Sequence, residues 1–536
     1  MRTFKTIFAC LLFVFFVSGQ TAQAQGITQE TFKIGKTLAI LDAVYVDSVN
    51  ISSIAEQMIV STLRNLDPHS VYIPAKDVAE EKEPLQGNFE GIGIQFNVLN
   101  DTIIVISPIP GGPSEKVGLL AGDRILTIAG EKVNGIGIST TGVRKRLMGP
   151  KGTTVVLTVF RKGEKNLLDF TIIRDKIPVN SLDAAYMISD KVGYIKLSRF
   201  SEQTAVEFDK AVADLKQKNM SDLVLDLRGN SGGYMVPAVQ IADQMLSKDE
   251  LIVYLQGLHT SRQDYRSTPL GTLTNAKVVV LIDEGTASAS EILSGAIQDW
   301  DRGVIVGRRS FGKGLVQNGF ALPDGSEIRI TIARYYTPSG RSIQTPYNEG
   351  YDKYFQKFYS RYMDGELIHP DSLNLPDSLK AYTLHNRRVV YGGGGITPDV
   401  FVPIDTSYYS DYYRDLIRTS TITNFVVAYT DQHRKELLKK YKTFEKFNKE
   451  FTFSHETIND LKEAGEKNKV KFNQEQFDIS SAEMLKVMKG LVARDLWDMN
   501  EYFMIVNEGD QGIEKALSII SDSKLYNQLL GNKTGQ

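Results

Sequence analysis

Residues 277–283 read Lys-Val-Val-Val-Leu-Ile-Asp, with five consecutive apolar side chains. A strand apolar on both faces has to be covered on both, which is the habit of parallel sheets. Straight after it the chain turns into an amphipathic helix that begins near Ser288. The alternation recurs over 176–404: a strand at 192–197, a helix near 204–218, a strand at 223–227, a helix near 236–246, and strands at 303–307 and 328–335. This pattern predicts an α/β core with parallel pairing.

Ser288 sits at the strand-to-helix turn. Lys313 lies 25 residues later, in the small-residue run Phe311-Gly312-Lys313-Gly314. A serine hydroxyl is a poor nucleophile near neutral pH and needs a neighbouring base. A lysine can be that base only if burial lowers its pKa, because desolvation disfavours the ammonium form. The same residues have plainer readings. Ser288-x-x-Glu291 fits a capping box, in which the serine merely caps the helix. Ser290 is a rival nucleophile. Asp299, eleven residues past Ser288, falls on a similar face but roughly 16 Å further along, so it reads as structural support. Gly307 to Lys313 match the first seven positions of a phosphate-binding P-loop. The next residue, however, is Gly314, and 315–322 reads as a strand where that loop would open a helix. Asp226-Leu227-Arg228-Gly229-Asn230-Ser231-Gly232-Gly233 ends a strand, and free amides there could bind an oxyanion. An ordinary glycine-rich turn is its alternative.

Taken in order, these residues resemble the active-site stretch of the C-terminal processing peptidases, also called tail-specific proteases. That family's pattern is S-A-S-E-I, then Q-D, then G-K-G-x-x-Q. Here it is Ser288-Ala289-Ser290-Glu291-Ile292, Gln298-Asp299, and Gly312-Lys313-Gly314-Leu315-Val316-Gln317. The resemblance implies a serine–lysine dyad: Ser288 as nucleophile in preference to Ser290, Lys313 as general base, and Gln317 orienting the lysine. Asp226 to Gly233 resembles the family's D-L-R-x-N-x-G-G. It implies an oxyanion hole from the backbone N–H of Gly232 or Gly233 together with Ala289. Gly395-Ile396-Thr397-Pro398-Asp399 resembles a closing G-I-x-P-D loop. A similar D-P-H-S occurs in the family without its histidine serving as base, so His69 in Asp67-Pro68-His69-Ser70 is expected to be structural.

Residues 85–175 resemble a PDZ domain. Gly91-Ile92-Gly93-Ile94 is similar to its carboxylate-binding loop. Pro110-Gly111-Gly112-Pro113-Ser114, Gly118-Leu119 and Ala121 to Leu126 follow in the family's order, and 154–161 alternates like a strand. Such a domain adds a peptide to a sheet edge and holds its carboxylate with backbone amides. Ile92, Ile94 and Phe96, with Val143 and Leu147 on the groove helix, would favour an apolar last side chain. Met148 stands where the family often has a basic residue before Gly149-Pro150-Lys151-Gly152. That leaves ligand-gated activation open, with Arg144 and Arg146 as substitutes.

The 536 residues imply several domains. The formal net charge of −2 argues against nucleic acid as a main partner. Residues 1–24 read as an export signal: Arg2 and Lys5, an apolar stretch at 7–17, and Ala22-Gln23-Ala24 at the cleavage site. The single cysteine, Cys10, falls inside it, so the mature chain would hold no disulfide. No other stretch is long and apolar enough to span a bilayer. The expected organisation is an N-terminal helical region at 25–84, the PDZ domain at 85–175, a protease core at 176–404 and a helical extension at 405–536 whose charged helices read as solvated. The expected fold class is mixed, multidomain α/β. The resemblance implies an exported serine endopeptidase of the periplasm or cell envelope, working through an acyl-enzyme on protein or peptide substrates with apolar C-termini. An adaptor protein is a further partner it allows. No cofactor or metal is expected, since histidines are scarce and no H-E-x-x-H pair occurs. The alternative is an inactive PDZ scaffold of the envelope.

Overall fold

The computed structural model describes residues 28–109, 111–369 and 375–532. The expected export signal and Pro110 of the PDZ-like turn lie outside the described residues. The chain divides into two compact units, 1–62 and 63–536. In the first, the helix Gln29–Val44 is capped by the Thr28 hydroxyl, which accepts from the Thr31 N–H. None of this helix's residues is buried, and Phe32, Ile34, Ile40 and Val44 are exposed.

The second unit is built on a six-stranded sheet. Its order is Leu182–Met187, Val192–Leu197, Asp222–Asp226, Val278–Ile282, Val304–Gly307, Val400–Phe401. The first pair is antiparallel and the others are parallel. All five side chains of Val278–Ile282 are buried. Parallel neighbours need long crossovers, and helices supply them. Thr204–Gln217, Met235–Asp243 and Ala289–Asp299 cover one face through Phe208, Val212, Ile241, Ile292 and Leu293.

The opposite face is covered from the far end of the chain. Ile513, Ala516, Ile519 and Ile520 of the helix Gln511–Ser521, with Tyr526 and Leu530, pack on Val224, Val279 and Val304. The expectation of solvated helices over 405–536 therefore fails. A sheet apolar on both faces needs this second layer. The preceding helices, from Asp411–Arg418 to Met499–Val506, share a core of their own around Leu416, Val426, Phe447, Met484 and Val492.

A second sheet is antiparallel. Glu327–Tyr336 pairs with Val71–Ile73, with Leu251–Gln256 and with Leu315–Ala321. A strand, then, and not a helix, follows Lys313, which removes the P-loop reading. The PDZ-like sheet runs Ile94–Leu99, Thr102–Pro108, Arg124–Ile128, Thr154–Phe160, Leu168–Ile173. The helix Thr140–Leu147 packs on it, capped by Ser139. Two hydrogen bonds tie this domain to the helix Thr421–Lys440: Asn97 Nδ2 to Asn424 Oδ1 at 2.8 Å and Arg124 Nη2 to Asp431 Oδ2 at 2.7 Å. Among the described residues no helix is long and apolar enough to cross a membrane.

Ile519 is fully buried on the far face of the main sheet. Ile519→Ala should cost about 2–4 kcal/mol of stability. A urea titration should show a lower midpoint with an unchanged slope.

Candidate active site

The central strand ends at Ile282, and the chain turns over Asp283 to Ala287 into the helix Ala289–Asp299. Ser288 stands at its N-cap with φ 56° and ψ −115°. Non-glycine residues rarely adopt such a conformation: it costs about 1–3 kcal/mol and persists only where its surroundings impose it. Here they do. Glu291 Oε2 accepts the Ser288 N–H at 2.7 Å, and the Ser288 carbonyl accepts from the Tyr335 hydroxyl at 3.0 Å. The capping box expected there is present, with the glutamate holding the serine's backbone. Gly232 closes the other side. A Cβ there would lie 2.7 Å from Ser288 Cβ and 2.8 Å from the Ala287 carbonyl oxygen, so only glycine fits.

The same carboxylate reaches the lysine loop. Glu291 Oε2 also accepts the Lys313 N–H at 2.9 Å, and Oε1 accepts the Gly312 N–H at 2.8 Å and the Ser310 hydroxyl at 2.5 Å. The Tyr335 hydroxyl lies 2.6 Å from the Lys313 carbonyl oxygen. Two buried side chains therefore join the backbones of Ser288 and Lys313. Burial pushes the Glu291 carboxyl up to about 7, against the pull of its four donors. Gly312, at φ 91°, is held against Thr345 and the 394–395 backbone, where a Cβ would collide.

Lys313 Nζ donates to Gln317 Oε1 at 3.1 Å, and Gln317 Nε2 donates to the His69 carbonyl. Burial holds the lysine below its usual pKa, and the Arg329 guanidinium lowers it further; Asp67 and Glu291 pull it back up. His69 contributes its carbonyl and packs its ring against Phe311 and Tyr354. Burial, with the Lys313 charge, takes the imidazole down to about 4.

Ser288, Ala289, Lys313, Gln317, Gly232 and Gly233 all line one cleft of about 850 Å³. The serine and lysine side chains share it without hydrogen-bonding to each other. The Gly232 N–H is already donated to Asn230 Oδ1 at 2.9 Å. Among the described residues no acceptor meets the N–H of Gly233 or of Ala289. The rival, Ser290, is fully buried and donates to the Asn230 carbonyl at 3.0 Å. Asp299 lies away from the cleft in a buried ion pair, its Oδ1 2.6 Å from Arg341 Nη2.

The peptide-groove residues divide. Ile92, Gly93, Ile94 and Leu147 line a groove of about 470 Å³, together with Phe96 and Met148. Val143 does not: it is fully buried in the domain core. Nor does Gly91, which ends the strand Asn88–Gly91 paired to Asp175–Pro178. Arg144 lines the groove 3.9 Å from Glu83, whereas Arg146 pairs with Glu131 at 3.3 Å.

Sequence reasoning missed the clamp of Glu291, visible only as the last letter of a capping box. It also missed the Tyr335 hydroxyl and the His69 carbonyl, which no local pattern announces.

Three profile matches cover the chain: peptidase family S41 over residues 191–349, a PDZ domain over 91–172, and a family of unknown function, DUF8443, over 412–498. A carboxy-terminal-processing protease of Bartonella bacilliformis is 37% identical over 350 residues, covering 62% of this chain and 80% of its own length. The carboxy-terminal processing protease CtpB of Bacillus subtilis is 36% identical over 330 residues, covering 60% and 68%. Among solved structures, the PDZ domain of a carboxy-terminal protease from Vibrio cholerae in complex with peptide is 34% identical. It covers 17% of this chain and 99% of its own, with a TM-score of 0.16.

Glu291→Gln tests the clamp. An amide oriented to accept on one side turns an NH2 group towards donors on the other. The variant should lose about 1–3 kcal/mol of stability. Peptide hydrolysis should show a fall in kcat larger than any rise in KM.

Proposed function

Because the chain belongs to the carboxy-terminal processing proteases of peptidase family S41, and so is a serine-type protease with a PDZ domain, we propose that Ser288 and Lys313 form its catalytic dyad. The observation that carries this reading is the shared cleft. It brings a hydroxyl at a helix N-terminus, a part-buried amine and two uncommitted N–H groups to one place.

In this mechanism the neutral Lys313 amine uses one N–H to hold Gln317 Oε1, which leaves its lone pair for the Ser288 proton. The Ser288 oxygen attacks the substrate carbonyl carbon as that proton moves to Nζ. The N–H groups of Gly233 and Ala289 receive the oxyanion, each such donor being worth ~3–4 kcal/mol in a hydrolase. Gly232 is indispensable for space, with its N–H spent on Asn230. The tetrahedral intermediate collapses, the lysine ammonium protonates the leaving amine, and an acyl-enzyme remains. Water, deprotonated by the same amine, releases the acid.

The groove of Ile92, Ile94, Phe96 and Leu147 takes substrates by apolar C-terminal side chains. Residues 1–24 direct export, so the enzyme works in the periplasm or cell envelope on protein substrates.

Two measurements test this function. Ser288→Ala should bind an unfolded protein ending in apolar residues and leave it uncut, while the wild type cleaves it. Equal cleavage by both overturns the role of Ser288, and cleavage by neither restores the scaffold reading. The second is the pH profile. A base whose pKa is lowered is neutral at lower pH, so kcat/KM should rise across pH ~7–9. Removing the neighbouring cation in Arg329→Gln raises the lysine's pKa and should move that limb to higher pH. A flat profile, or one that Arg329→Gln leaves in place, counts against a lysine base.

A further inference from the structure

The helix Val78–Gln86 stands between the groove and the cleft. Glu81, Lys82 and Leu85 line the cleft, Glu83 lines the groove, and Pro84 lines both. One other residue lines both cavities: Arg199, two positions past the strand Val192–Leu197.

The charges around it are accounted for. Lys82 lies 2.5 Å from Glu327, Arg329 lies 3.7 Å from Glu81, and Arg144 lies 3.9 Å from Glu83. Lys313 donates to Gln317. Arg199 differs. Among the described residues it makes no ion pair and no side-chain hydrogen bond, although it is partly buried. The acid that feels its field, Asp183, also faces Lys196, and Asp183 Oδ1 already accepts the Ser198 hydroxyl at 2.8 Å. A guanidinium presents a fixed fork of donors that matches a carboxylate. A half-desolvated one without an internal partner is poised for an acceptor that arrives from outside.

We infer that Arg199 is a specificity-determining residue, which binds an acidic side chain of the substrate in the stretch between the chain end docked in the groove and the bond presented to Ser288. This inference rests on the proteolytic reading above. Among the described residues Pro84 and Arg199 line both cavities, and Arg199 is the charged one that an extended chain running from one into the other would pass. The enzyme therefore selects for an apolar terminus and, upstream of it, a carboxylate.

The test uses the full chain and two unfolded reporter proteins with the same apolar C-terminal tail. Their intervening stretch carries glutamates in one and glutamines in the other. Wild type should cleave the glutamate reporter with about tenfold higher kcat/KM, the factor that ~1.4 kcal/mol gives. In Arg199→Gln that ratio should fall to about one, and Arg199→Lys should retain part of it. A purely structural role for Arg199 would depress both reporters alike and leave the ratio standing; that result overturns the inference, as does a wild-type ratio near one. If the wild type cuts neither reporter, the proteolytic reading fails. The same ratio, measured as affinity with Ser288→Ala in the presence and absence of Arg199→Gln, then decides the role of Arg199 by itself.

Discussion

The carboxylate of Glu291 is the contact on which the site depends. It is fully buried and takes four donors, one from the serine's backbone, two from the lysine loop's backbone and one from the Ser310 hydroxyl. Four hydrogen bonds offset only part of the desolvation of that charge, since burial still leaves the carboxyl raised to about 7. They also convert two separate loops into one rigid body. The strained backbone of Ser288 persists because this carboxylate and the Tyr335 hydroxyl leave it no alternative.

Around that body the fold is layered in order of need. The strand Val278–Ile282 is apolar on both faces, so it requires cover on both. The crossover helices supply one layer and the last helices of the chain supply the other. The site thus sits at the carboxyl ends of strands held from front and back, the position where α/β sheets present their loops.

Much of this was legible in the residues themselves. The apolar run at 278–282 announced a parallel core, and the alternation at 154–161 announced a strand, which the structure shows over Thr154–Phe160 with Val155, Leu157 and Val159 buried and Thr154, Val156 and Phe160 exposed. Ser288 read as following the strand at 277–283 and Lys313 as following the one at 303–307; that these two strands are parallel neighbours came from the structure. Other features had no local signature. The helix Gln511–Ser521 reads as an ordinary amphipathic helix, and nothing within it says that its partner is a sheet whose central strands lie more than two hundred residues earlier. Val143 sits one helical turn from Leu147, yet only Leu147 reaches the groove, because the domain core claims the other side of that helix. Which glycine N–H stays free at 232–233 turns on a single asparagine oxygen, a tertiary detail that the repeat of two glycines conceals.

The grip of Gln317 on the His69 carbonyl spans 248 positions of sequence. Loop closure over such a span comes late in folding, after local helices and hairpins have formed. A partly folded chain would hold its hydroxyl and its amine without the support that aims one at the other. Until that closure forms, the side chain that holds Lys313 would lack its own anchor, so the geometry of the cleft would be among the last features to assemble.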